Sequence, residues 1–595
     1  MSLNRGQQAA VDEPGHCLMV ACPGSGKTHT LVERARHILE SNPKARLATV
    51  TFTRAAAEEM RERVVQKLGE AMRARIDAGT FHSLCLKQME IMSINGKRPF
   101  GIAGEGHSHI LMMKAWQAAR AKFPRKKVPI DRDRIKHGIE FAKANRGHVP
   151  ADEFGEETKF ALDHYQEQLQ AQKLLDFADI IEFTVQGMQG GAIPPLDVTD
   201  LLVDEFQDGD AVQVDWVLAH VTSGVRVTCV GDDDQSIYGF RHAKGYDGMM
   251  LFAQRARAKI ITLDTTYRCC SPVVAHSARL IGHNPTRVSK AIKTANQQQG
   301  SVDRRDFKTF DAEVREACMA LHSRPEGQTA AILTRTNSVL RVFETHMECN
   351  EIPYTGGVEG SIWSGGVPGL IRGLIGGAIN KDPSGITMAL SARGMNYTAV
   401  TAARDAIQSS GGGFDALLGK EQWARGLADA QEHIWSEIKG ELAGLAKLTT
   451  SSPMTFVEAA AKFIAPGVDG FSNPMVLADV ITLIAKMEGT LHDVYRRIEQ
   501  SMRKSTEDKL ALPGIALMTL HASKGLEFDR VWMPAMRQGV LPHGNSDIAE
   551  ERRLCYVGMT RARRYLTLSY APVKEAPESV FLREMGLQPT ALELR

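Results

Sequence analysis

Residues His16 to Thr28 read HCLMVACPGSGKT. The apolar run His16 to Ala21 reads as a buried strand, and THTLVERARHILE from Thr28 as an amphipathic helix. Between them lies the loop Ala21, Cys22, Pro23, Gly24, Ser25, Gly26, Lys27, Thr28. The backbone N–H groups of such a loop, with the helix N-terminus behind them, cradle phosphate. Lys27 would then reach the β- and γ-phosphates and Thr28 would ligate Mg²⁺. Ala21 stands where the strict form of the motif has glycine.

Working outward, the same alternation continues. RLATVTFT from Arg46, LLVDE from Leu201, RVTCVGD from Arg226 and IITLD from Ile260 read as strands, and RAAAEEMRERVVQKL from Arg54 as a helix. A second set follows with AAILTRT from Ala330, ALMTLH from Ala516, RVWMPAM from Arg530 and YLTLSYA from Tyr565. Continuous apolar strands separated by helices predict an α/β fold with parallel sheets covered on both faces. The expected layout is two core domains, residues 1–90 with 195–270 and 271–377 with 506–595. Each is interrupted by a mostly helical insertion, 91–194 and 378–505.

Two carboxylate motifs complete the first set. In LLVDEFQD a strand ends in Asp204 and Glu205, at the sheet edge where ligands bind. Asp204 would hold Mg²⁺, and Glu205 would orient and deprotonate the attacking water. In VGDDDQSIYGFRHA from Val230, the Gln235 amide would bond the γ-phosphate, while Asp233 and Asp234 read as a hydrophilic turn. Arg268 in LDTTYRCC and Arg561 in EERRLCYVGMTRARR are candidates to stabilise charge on that phosphate.

Composition narrows the classes. The 595 residues are 43% hydrophobic and 24% charged, so a largely disordered or collagen-like chain is excluded. A net charge of +2 excludes a uniformly basic DNA-coating protein. The nine cysteines are scattered without a CxxC pair, against a disulfide scaffold or zinc ribbon and in favour of a reducing cytosol. No secretory leader or membrane span is expected. Arg120 to Arg146 carries ten Lys/Arg against three acids. It is expected to meet duplex phosphates, with Lys126 and Lys127 foremost. Gly356 to Gly377 holds nine glycines and is expected to act as a swivel. On that reading, replacing residues 378–500 with a linker would leave ATPase activity largely intact.

These segments, in this order, resemble the UvrD/Rep/PcrA group of superfamily 1 DNA helicases. LNRGQQAAV, TFTRAAAEEMRERV, AGTFHSLC, DFADII, VDEFQD, VGDDDQSIYGFRHA and LDTTYRCCSPVV carry the likeness in the first half. RTNSVLRVFE with IPY, LMTLHASKGLEF and EERRLCYVGMTRAR carry it in the second. The resemblance implies two RecA-like domains with ATP between them and ATP-driven 3′→5′ movement on single-stranded DNA. It implies adenine contacts from Gln7 and Tyr267 and a further nucleotide contact from Glu527. His29 stands where the group usually has an arginine supporting adenine. For DNA it implies aromatic contacts from Phe81, Phe177, Tyr238 and Phe240, and polar ones from Arg241 and His521; Phe240 stands where tryptophan is usual.

The expected partners are single-stranded DNA and single/double-strand junctions, with a monomer in the free state and a cytoplasmic location. The second insertion is shorter than is usual for the group, and no nuclease domain is expected after Ser579 to Gly586. The leading reading is an ATP-dependent helicase. A translocase that strips proteins from DNA with little unwinding is the alternative, and a P-loop kinase or switch GTPase is opposed by the paired arginine motifs.

Overall fold

A computed structural model describes residues 3–90, 100–124, 130–358, 361–364, 366–419, 422–467, 473–503, 514–544, 546–573 and 575–589. The chain divides into two compact units, residues 1–271 with 284–297, and 272–283 with 298–595. The crossing is therefore not the single passage near residue 270 that the sequence suggests. The chain leaves the first unit after Ser271, returns to it for Asn284 to Gln297, and leaves again.

The first unit is built on six strands: β1 Cys17–Ala21, β2 Leu47–Val50, β3 Ile76–Gly79, β4 Asp200–Val203, β5 Arg226–Gly231 and β6 Lys259–Leu263. Their order is β3-β2-β4-β5-β1-β6, and every pairing is parallel. Strands β1, β2 and β4 are buried at every position, as a sheet covered on both faces requires. Helices Lys27–Ser41 and Arg54–Leu68 follow β1 and β2. The second is started by Thr53, whose hydroxyl accepts the N–H of Ala56 at 3.2 Å.

Helices Glu105–Lys122, Arg132–Ala144 and Glu156–Ala171 form the first insertion around their own core of Leu111, Ala115, Ile135, Ile139 and Tyr165. Lys143 is buried there and donates to Asp176 at 2.6 Å and Asp179 at 2.8 Å, and Arg146 pairs with Asp215. Those two members of the basic cluster are thus paired with acids inside the unit. Arg120, Lys122, Arg132, Arg134 and Lys136 are exposed. Lys126 and Lys127 lie outside the described residues.

The second unit carries β7 Ser301–Asp306, β8 Ala330–Thr334, β9 Tyr354–Gly356, β10 Ile515–Thr519, β11 Phe528–Met533 and β12 Ala562–Tyr570. The order is β7-β12-β11-β8-β10-β9, again all parallel. The second helical segment is not set apart from this sheet. One continuous core joins Ile332, Val339, Phe343 and Leu517 to Ile371, Leu390, Phe456, Val480 and Ile498. Helix Asn337–Cys349 packs on helix Asn473–Ala485.

The glycine-rich stretch is likewise not a swivel. Gly366 to Asn380 form a helix with Leu370, Ile371, Leu374 and Ile375 buried. Its glycines let backbones touch: a Cβ on Gly385, in helix Pro383–Ala392, would lie 2.0 Å from the Gly373 carbonyl oxygen. Gly385→Ala is therefore expected to cost at least ~1–3 kcal/mol by overpacking, read as a lowered midpoint in thermal unfolding.

Candidate nucleotide and DNA site

The phosphate loop leaves the C-terminal end of β1 and is shaped by glycines at positive φ. Gly24 (φ 71°) and Gly26 (φ 77°) lie in the left-handed region, where a side chain is strained. A Cβ on Gly24 would also fall 2.5 Å from Cβ of Arg268. The loop is laced to its neighbours through backbone: Cys22 N–H donates to Leu263 O at 3.0 Å and Tyr267 N–H to Gly24 O at 2.9 Å. Ala21 is fully buried as the last residue of β1. Gln7 donates from Nε2 to Ser25 O at 3.0 Å, and Asn4 from Nδ2 to the Tyr267 hydroxyl at 3.0 Å. Gln7, Tyr267 and Arg268 are thereby gathered around Ala21 to Thr28. Tyr267 is 41% exposed, which leaves ring surface available to a base. His29 sits beside Gly26, and burial followed by the Lys67 charge lowers its pKa.

Lys27 opens the following helix and donates from Nζ to both oxygens of Glu205 at 2.9 Å. Burial works against its proton, but Glu205, Asp204 and Asp232 outweigh burial and hold it charged. Asp204 accepts the Glu205 N–H at 2.8 Å. Burial, then the neighbouring Glu205 charge, push the Asp204 carboxyl up to about 6. Such an excess of crowded carboxylate suits a divalent cation, and Thr28 follows Lys27 at the helix start. Glu205 itself has φ 52°, a strained setting for a non-glycine residue and one common at functional sites.

A hydrogen-bonded chain runs from Glu205 to Gln235. Gln207 donates from Nε2 to Glu205 Oε2 at 2.6 Å and accepts the Asp232 N–H at 3.0 Å. Asp232 accepts Gln235 Nε2 at 2.5 Å. Sequence reasoning missed the other half of this cluster. Asp233 and Asp234 are 3% and 1% exposed, so they are not a hydrophilic turn. Lys290 Nζ lies among all three aspartates, 2.7 Å from Asp232 and Asp233 and 2.8 Å from Asp234. Arg287 adds a two-pronged pair to Asp234 at 2.8 and 2.7 Å. The three carboxylates are close enough to chelate a metal, but the ammonium of Lys290 already serves as their internal cation. No motif announces Lys290; a triple aspartate at the end of a buried strand was the available hint of a buried counter-charge.

The sequence-identified aromatics divide. Phe81 is 2% exposed and packs edge-on to Trp216 at 5.5 Å between centroids. It is a core residue, and the expectation that it stacks on a base is corrected. The exposed ring at that edge is Phe52, 39% exposed and 5.9 Å from Phe81. Its place just past the last residue of β2 was a signal that went unread. Phe177 is exposed and stacks on His82 at 3.8 Å. Both line a cleft of about 820 Å³ beneath the first insertion. Burial pushes His82 down to about 4, so it is a neutral ring beneath the exposed one. Phe240 is exposed on a turn of 3₁₀ helix, 5.9 Å from Tyr238, with the Arg241 guanidinium 5.2 and 5.5 Å from the two rings.

The remaining site residues lie in the second unit. His521 and Glu527 occupy the turn-rich stretch between β10 and β11, and Glu527 pairs with Arg563. Arg561 is 1% exposed, donating to Val557 O at 2.9 Å and Leu526 O at 3.2 Å.

A glycine-shaped phosphate loop and paired carboxylates at one edge of a parallel sheet, with a second such sheet in the same chain, are the build of RecA-like P-loop NTPases. Residues 3–255 match the UvrD/REP helicase N-terminal domain and residues 457–572 the UvrD-like helicase C-terminal domain. The chain is similar to the ATP-dependent DNA helicase Rep of Escherichia coli, 29% identical over 96% of this chain and 91% of that protein. It is also similar to the ATP-dependent DNA helicase PcrA of Staphylococcus aureus, 26% identical over 96% and 83%. DNA helicase II of Rickettsia typhi is 26% identical over 95% and 91%. The chain belongs to the UvrD/Rep/PcrA family of ATP-dependent superfamily 1 DNA helicases. No helix among the described residues is long and apolar enough to cross a membrane.

Proposed function

We propose that this chain moves 3′→5′ along single-stranded DNA and couples ATP hydrolysis to strand separation. The observation that carries this reading is the short stretch between Gln235 and Arg241. Gln235 is tied to Asp232 within the network that reaches Glu205, and five residues later Phe240 stands exposed beside Tyr238. One loop thus joins a γ-phosphate contact to a stacking platform.

In this reading Lys27 neutralises the β- and γ-phosphates, and Glu205 trades Lys27 for the attacking water and takes its proton. Arg268, and Arg561 from the second unit, stabilise the charge that builds on the γ-phosphate. Gln7, His29, Tyr267 and Glu527 hold the rest of the nucleotide. Mg²⁺, held by Thr28 and Asp204, would offset phosphate charge. Phe177, Tyr238 and Phe240 grip bases by stacking, which tolerates any sequence, and Arg241 and His521 add polar contacts. The free chain is assigned as a monomer acting at single/double-strand junctions, and nine buried cysteines scattered without a CxxC pair fit a reducing cytoplasm.

Forked duplexes with a 3′ or a 5′ single-stranded tail test the polarity. Unwinding is expected from the 3′ tail alone; equal unwinding from both, or from the 5′ tail only, would refute it. Streptavidin release without strand separation would favour the protein-stripping translocase. Phe240→Ala is expected to leave DNA-stimulated ATPase in place and to slow translocation, since one platform costs ~1–3 kcal/mol of base contact. Translocation at the normal rate would show that Phe240 does not grip DNA.

A further inference from the structure

We propose that Lys290 is a positioning residue of the hydrolytic site: its buried ammonium fixes Asp232, and through Asp232 sets both the Gln235 amide and the Gln207–Glu205 pair. The proposal rests on the reading of Glu205 and Gln235 given above and deepens it.

The geometry has three parts. First, Lys290 bridges the ends of two central strands. Its Nζ bonds the carbonyl oxygen of Ala21, the last residue of β1 and the root of the phosphate loop, at 3.2 Å. It also bonds Oδ1 of Asp232, the residue after β5, at 2.7 Å. The side chains of Lys290 and Asp232 are both fully buried, at 0% exposure. Buried charge-assisted bonds of this kind are short and directional, and they leave the partners little freedom.

Second, Asp232 is the node where the network divides. Its Oδ2 receives Gln235 Nε2 at 2.5 Å, and its N–H donates to Gln207 Oε1 at 3.0 Å. Gln207 in turn donates to Glu205 at 2.6 Å. Gly231 gives Gln207 room for this approach: a Cβ there would lie 2.6 Å from Gln207 Oε1. Rotation of the Asp232 carboxylate would therefore release the γ-phosphate amide directly, while the shift of its backbone would disturb the base.

Third, Lys290 comes from Asn284 to Gln297, the segment that returns to the first unit between two passages of chain belonging to the second. Further anchors hold that segment on the aspartates. Val288 N–H donates to Asp233 Oδ2 at 2.7 Å, and Arg287 pairs with Asp234. A strap continuous at both ends with the second unit is thus fastened to the residues that contact the γ-phosphate and water.

The test separates positioning from mere counter-charge. Lys290→Met combined with Asp233→Asn removes one charge of each sign and leaves the net charge of the cluster unchanged. In the full chain this variant is expected to melt within a few degrees of the wild type and to bind ATP within about threefold. Its kcat for DNA-stimulated hydrolysis is expected to fall between about ten- and a hundredfold, the scale of a catalytic group displaced by ~1 Å. A folded variant with kcat within twofold of wild type would overturn the proposal, as would a loss of ATP affinity that matched the loss of kcat. Should the double variant fail to fold, Asp232→Asn decides. It is isosteric and keeps its N–H to Gln207, and it should show the same fall in kcat with KM within about threefold. Normal kcat in folded Asp232→Asn would equally overturn the proposal. A wild-type chain without DNA-stimulated ATPase would undo the underlying reading of the site instead.

Discussion

Lys27→Ala is expected to abolish ATP turnover while leaving single-stranded DNA binding in place. Lys27 supplies the charge for the β- and γ-phosphates, and it also pairs with Glu205 through both carboxylate oxygens. Removing it deletes the phosphate contact and leaves Glu205 and Asp204, already crowded, with less positive charge beside them. The exposed rings of Phe177 and Phe240 are untouched, so fluorescence anisotropy with a labelled oligonucleotide should report near-normal affinity. Glu205→Gln is the companion: it should bind ATP and DNA yet turn over at least ~100-fold more slowly, the scale of a lost general base. Near-normal turnover in either variant would remove the corresponding residue from the chemistry.

Deleting residues 378–500 is expected to give an insoluble chain, reversing the expectation drawn from the glycine-rich sequence. Helix Gly366–Asn380 packs against helices Pro383–Ala392, Pro453–Ile464 and Leu491–Arg503. Helix Asn337–Cys349, which covers the second sheet, packs against Asn473–Ala485. Truncation would uncover Ile371, Leu374, Ile375, Val339 and Phe343, all buried now. Each large apolar side chain gains ~1.5–3 kcal/mol from burial, so losing several is comparable to the whole ~5–15 kcal/mol that stabilises a domain. The partition of expressed protein between supernatant and pellet reads the outcome. A soluble truncation with full ATPase activity would show that the helical segment is dispensable to this core.

The central strands were legible because burial on both faces leaves unbroken apolar runs. LLV before Asp204 and CLMVA before the phosphate loop could hardly be anything else. Of the four edge strands only Lys259–Leu263 was legible; the other three were not. Ser301–Asp306 reads SVDRRD and lies at the end of the second sheet, where polar residues are tolerated, so no apolar pattern marks it. Ile76–Gly79 is four residues at the other sheet's edge with an aspartate inside. The phosphate loop and the Asp204–Glu205 pair announce themselves because their chemistry needs fixed spacing. Lys290 acts across 58 positions from Asp232, and no local pattern encodes such a pairing. The glycines of 366–377 misled for a related reason: glycine serves both loose backbone and close helix contact, and only the partner, Gly385, tells which.

ATP hydrolysis at the Lys27–Glu205 site is expected to be driven by DNA. Steady-state ATPase rates of the full chain, measured with and without single-stranded DNA and beside Glu205→Gln, test it most directly. The expected result is a low rate alone, a steep rise with single-stranded DNA that nuclease digestion of the DNA reverses, and almost no rate in the variant. A wild-type rate indifferent to DNA, or one that Glu205→Gln retains, would contradict it.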